Sequence, residues 1–113
     1  MANNFINAVK TNIAIDSGTY TNIYAAPASK VSILLELDIA NTTAAAIDAS
    51  VVVTDTSTGI SAYVVKNAPV PAGGSLKVIS GQKIVLMATD IIKAAASAAT
   101  SADCVASILE DVG

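Results

Sequence analysis

The chain contains no histidine, no arginine and no tryptophan, and it has a single cysteine and a single phenylalanine among 113 residues. Without histidine, neither a histidine-assisted nucleophile nor the commonest metal ligand is available, which removes most hydrolase designs. Only 13% of the residues are charged and the net charge is −3, with lysine supplying every side-chain cation. The basic footprint of a nucleic-acid binder is therefore missing. No uninterrupted apolar run approaches the roughly 18 residues of a membrane-spanning helix, and Met1 to Phe5 lack the basic and apolar regions of a cleaved signal. The expectation is a soluble chain made in the cytoplasm, with neither nucleic acid nor membrane as partner. Cys104 cannot form an internal disulfide; it lies in an apolar run, where a small buried residue fits.

What the chain does have is aliphatic alternation. Hydrophobic residues reach 53%, enough to exclude disorder and to leave apolar surface for another subunit. The length suits one domain, 1–113. The longest clean signal is Lys30 to Ala40, where Val31, Ile33, Leu35, Leu37 and Ile39 alternate with Ser32, Glu36 and Asp38. Period two predicts a half-buried strand whose odd positions face the core. On the other register Leu34 and Ala40 interrupt the polar residues, so that face is expected to be covered by a subunit or another strand layer. Leu34, Glu36 and Asp38, with Tyr63, are the candidate interface residues.

Weaker runs flank this strand. Phe5 to Ile15 reads as an edge strand or N-terminal arm (1–15), Asp16 to Gly18 as a turn, and Thr19 to Ala25 as a second strand closed by Pro27. Asn41 to Ala45 is a loop. Ile47 to Thr54 alternates through Ala49, Val51 and Val53, and Asp55 to Gly59 is a hairpin turn leading into Ile60 to Lys66, with Ser61, Tyr63 and Val65 on one face. Asn67 to Gly74, with two prolines and two glycines, predicts a connection, and Ser80 to Gln82 a turn between strands Ser75 to Ile79 and Lys83 to Met87. Ala88 to Ala102 is alanine-rich, and Asp90 offers a helix cap. Its short length and its serines and threonines weigh toward a strand followed by a loop. Cys104 to Val112, with Val105 and Leu109 alternating with small or polar residues, closes the chain as a final strand. About eight short antiparallel strands at this spacing predict an all-β fold, a sandwich or a barrel.

Chemistry-bearing patterns are sparse. Glu36 and Asp38 lie two apart, but no neighbour drives their pKa values apart as an acid and base pair requires, so a strand face is the simpler reading. Asp48 and Asp55, with Thr54, Thr56 and Ser57, offer oxygens to a hard cation but match no EF-hand loop, and turn chemistry accounts for them. Gly73-Gly74 and Ser80-Gly81 lack the features of a phosphate-binding loop. Tyr20, Tyr24 and Tyr63 would make a sugar- or partner-binding platform only if they cluster in space. No catalytic, metal or cofactor site is expected.

Several segments carry a resemblance. Tyr24 to Pro27 leading into Lys30 to Leu34, the polar hairpin Asp55 to Thr58, Pro69 to Gly73, Lys83 to Lys93 and Val105 to Glu110 together resemble small accessory virion proteins of tailed bacteriophages, of the decoration or cement type. The sequence departs from that pattern at Thr89, where a glycine commonly precedes the aspartate. The resemblance implies a non-enzymatic, single antiparallel β-sandwich of about eight strands, jelly-roll-like, on the outside of the capsid that binds the major capsid protein and itself, as a homo-oligomer and most simply a trimer. It also leaves open a tail, neck or fibre module that recognises the host surface.

Overall fold

The computed structural model describes residues 4–13, 20–98 and 100–111. Among them, eight strands run as β1 (Asn4–Lys10), β2 (Thr21–Ala25), β3 (Ser32–Asn41), β4 (Ile47–Asp55), β5 (Ile60–Val70), β6 (Ser75–Leu86), β7 (Ile91–Ala96) and β8 (Ala102–Glu110). They build two four-stranded sheets, sheet A in the order β1-β8-β3-β6 and sheet B in the order β2-β7-β4-β5. Every pairing is antiparallel. The fold is thus the expected all-β sandwich.

The pairing has a simple logic. β4 pairs with β5, β3 with β6, β2 with β7 and β1 with β8, so the chain is one long hairpin rolled into two layers. Its tip is the predicted turn after β4. There Asp55 Oδ1 accepts hydrogen bonds from Ser57 N (3.0 Å) and Ser57 Oγ (2.7 Å), Gly59 N donates to Asp55 O (2.8 Å), and Gly59 takes a φ of 73°. The Ser57 hydroxyl, the largest influence on it, holds the Asp55 carboxyl below its ordinary pKa.

The core lies between the sheets. Leu34, Leu37, Ile39, Ile79, Leu86 and Ile108 come from sheet A, while Ile23, Val51, Ile92, Ala94 and Ala96 come from sheet B. The alanine-rich stretch is strand β7, central in sheet B, followed by a turn. Its ladders with β2 and β4 satisfy its backbone, so tertiary pairing outweighs alanine's helical preference. β1 is the expected edge strand, and the turn assigned to Asp16 to Gly18 lies outside the described residues.

Four local expectations are corrected. The first concerns β3 itself. Leu34 pairs with Ile108 and Glu36 with Ser107, which leaves Leu35 unmatched as a β-bulge. Before the bulge the even residues Ser32 and Leu34 face the core; after it the odd residues Leu37 and Ile39 do. Val31, Ile33 and Leu35 are therefore only half-buried, and Leu34, at 0% exposure, is a core residue rather than part of an outward interface.

The second correction is that β5 continues to Val70, so the connection shrinks to residues 71–74. Pro69 is tolerated because β5 is an edge strand, where a missing donor breaks no second ladder. Third, Ser75 to Leu86 is one strand. Its first part pairs with Leu37 to Ala40 and its last with Ser32 to Leu34, and the ladder jumps from Ile84 to Ser80 between them. Gly81 sits at that irregularity rather than at a turn. Fourth, the register of β5 shifts between Val51 and Val52, so that Tyr63 lies opposite Val52 and Val65 opposite the core residue Val51. Ser61 and Tyr63 stay on the outward face while Val65 packs against the core.

Candidate functional site

The four residues singled out from sequence fall in three places. Leu34 is in the core, Glu36 and Asp38 are on the outward face of sheet A, and Tyr63 is on the outward face of sheet B. They do not form one surface.

Sheet A presents the larger candidate. Phe5 pairs with Leu109, Leu109 with Ile33, and Ile33 with Val85, which makes an apolar row across all four strands on the face turned away from the core. Directly opposed side chains are about 5 Å apart at Cβ, so such a row is continuous. Phe5 is 77% exposed and Val85 56%. Leu35, pushed out of the ladder by its bulge, lines a shallow cleft of about 240 Å³ with Phe5, Asn7 and Ser107. The next row, Asn7, Ser107 and Glu36, is polar, and beyond it come Val9, Val105, Asp38 and Lys77. Among the described residues, Asp38 Oδ1 is buried and finds no hydrogen-bond partner.

Sequence reasoning missed this row for an identifiable reason. In β8 both registers are apolar, Val105 and Leu109 on one and Cys104, Ala106 and Ile108 on the other. Pairing with β3, Ile108 with Leu34, Ala106 with Leu37 and Cys104 with Ile39, turns the second set inward. The Cys104 thiol is fully buried, and burial, with the nearby Asp38 charge, pushes its pKa up to about 12. It is part of the packed core.

Sheet B presents a cleft of similar volume with a more polar lining. Lys93, Val52 and Tyr63 stand side by side across β7, β4 and β5, with Thr54 and Ser61 opposed in the next row. Tyr20 closes the end, its hydroxyl 3.2 Å from that of Tyr63, and the six residues enclose about 240 Å³. Thr54 Oγ1 and Ser61 Oγ lie 2.9 Å apart, and Lys66 Nζ stands 5.1 Å from the centre of the Tyr63 ring. Two of the three tyrosines thus cluster. Tyr24 does not join them; it faces inward and bonds Ser32 and Glu110.

Asp48 and Asp55 lie at opposite ends of β4 and share no site. The Asp48 backbone is engaged by Ser97, and Asp55 holds its own turn. Comparisons of the chain with protein-family models, curated proteins and solved structures return no match.

Proposed function

We propose that the chain is a non-enzymatic structural subunit of a tailed-phage virion, a capsid decoration (cement) protein. In this reading it binds the major capsid protein on the capsid exterior as a homo-oligomer, a trimer. The observation that carries the assembly role is the row Phe5, Leu109, Ile33 and Val85. A contiguous apolar patch on an outward sheet face marks a protein contact, because burying it gains about 25 cal/mol per Å². Association costs consume much of that gain in a single small contact, so repetition over many copies suits such a surface. Two further features support the reading: the low charge, and the order β1-β8-β3-β6 facing β2-β7-β4-β5, which fits the double Greek key of a jelly roll. The virion context itself comes from the sequence resemblance.

Imaging of virions that carry the chain tests this. Density for the chain in trimeric clusters over the capsid surface is the expected result. Its absence, or a few copies confined to the tail, would overturn the decoration role. The second reading, a host-recognition module of a tail, neck or fibre, is favoured by one observation, the meeting of Tyr20 and Tyr63.

A further inference from the structure

The cleft on sheet B combines three kinds of group. It has an aromatic ring with a polar tip, Tyr63, which is half exposed and bonded to a second tyrosine hydroxyl. It has a paired set of hydroxyls, Thr54 and Ser61, that both donate and accept. It also has an ammonium group, Lys93 in the wall, and a second, Lys66, stands over the Tyr63 ring outside the lining residues, in a chain whose net charge is −3. No carboxylate is among the lining residues, and the floor is the aliphatic Val52.

We propose that this cleft binds an acidic sugar, a single saccharide ring bearing a carboxylate. The apolar C–H face of such a ring packs on Tyr63 and Val52, its hydroxyls exchange hydrogen bonds with Thr54, Ser61 and the tyrosines, and its carboxylate meets the Lys93 ammonium. Aromatic bodies with polar tips suit a ligand that alternates C–H and O–H surfaces. The charged pair adds a shorter and stronger hydrogen bond than a neutral one. At about 240 Å³ the cleft is below the usual size of a drug-sized pocket, which matches one ring rather than a chain of them. The proposal rests on this cleft and not on where in a virion the chain sits.

The test uses the full chain with three probes, the methyl glycosides of N-acetylneuraminic acid, glucuronic acid and glucose, and with acetate as the bare anion. Saturation-transfer NMR on the sugars and amide shifts on the protein report binding. Expected is millimolar or tighter binding of at least one acidic glycoside, with shifts centred on Tyr63 and Lys93, and about tenfold weaker binding of the glucoside. Lys93→Gln should erase that preference, and Tyr63→Ser should abolish transfer to the ring protons. Both positions lie on the outward face, and thermal unfolding checks that each variant is folded; if Tyr63→Ser is not, the preference lost in Lys93→Gln decides. No binding of any glycoside, equal binding of acidic and neutral sugars, acetate reproducing the same shifts at the same concentration, or affinities unchanged in Lys93→Gln would each overturn the proposal.

Discussion

Tyr24 donates a 2.5 Å hydrogen bond to Glu110 Oε2, from a strand of sheet B to the last residue of the last strand of sheet A. Ser32, fully buried on β3, completes the chain with its hydroxyl 3.0 Å from that of Tyr24. Because Tyr24 gives its proton to the carboxylate, Ser32 donates to Tyr24. The link ties both sheets together at one end, where apolar packing alone carries no directional restraint.

That link sets the alkaline behaviour. Burial, followed by the Glu110 carboxylate, pushes the Tyr24 hydroxyl from its ordinary 10.0 up to about 12. The folded state therefore favours the protonated phenol, so this contribution to stability is complete below pH 10.0 and is lost as the pH rises through about 12. Tyr24→Phe should cost about 1–3 kcal/mol at neutral pH, since it leaves Ser32 buried and unpaired. It should also flatten the fall in stability above pH 10.0. Urea unfolding of both proteins across that range checks the sign; an equal alkaline slope in the variant would assign the titration elsewhere.

Core and outward face separate cleanly at two residues. Leu34→Ala should destabilise by about 2–5 kcal/mol, as expected for a fully buried leucine. Phe5→Lys, at the exposed end of the apolar row, should change stability by no more than about 0.5 kcal/mol, and under the proposed decoration role it should weaken self-association and capsid attachment. Chemical unfolding, together with mass in solution by light scattering, distinguishes the two. Intact assembly in Phe5→Lys would remove the sheet A row from the interface.

The bulge makes a sharper claim. Deleting Leu35 turns the β3–β8 ladder regular, with Leu34 and Leu37 still inward, so the variant should keep the fold at reduced stability. Deleting Asp38 instead should turn Ile39 and Asn41 outward and abolish folding, because one residue of slip inverts every later side chain. Amide dispersion in NMR reads the difference. If both deletions behaved alike, the bulge would not be what sets the face of β3.

Thr89, where the virion-protein pattern commonly has glycine, adopts a φ of 70°, the left-handed region. Its amide donates to Ala26 O (3.0 Å), Asp90 braces the turn through Met87 N (3.1 Å), and its hydroxyl bonds that of Thr56. Left-handed geometry costs a β-branched residue about 1–2 kcal/mol, and the greater freedom of unfolded glycine returns part of that. Thr89→Gly should accordingly stabilise by up to about 1 kcal/mol, seen as a raised melting temperature. A lowered one would show that the Thr56 contact outweighs the strain.

How much of this was legible beforehand differs from strand to strand. β4 shows the predicted alternation through Ala49, Val51 and Val53, its pairing with β7 is regular, and these three residues pack in or against the core. The Asp55 to Gly59 turn was equally plain, because its chemistry is local: a carboxylate beside two backbone donors, and a glycine to accept a positive φ. The strand identity of β7 was legible only against its alanines. The cleft on sheet B was half visible, since three tyrosines could be named but their meeting could not.

The sequence by itself determined that the chain is all-β without histidine chemistry, and where most of its strands and its central turn fall. Tertiary structure alone decided which face of β3, β5 and β8 is inside. Alternation predicts a face only while the ladder stays regular, and in β3 and β8 both registers are apolar enough to be buried. The bulge at Leu35 resolves that ambiguity by turning Leu34 inward with Ile108 and leaving Ile33 and Leu109 outward. Its place is set by the neighbouring strands, through pairings that span much of the chain, and no local signal encodes it.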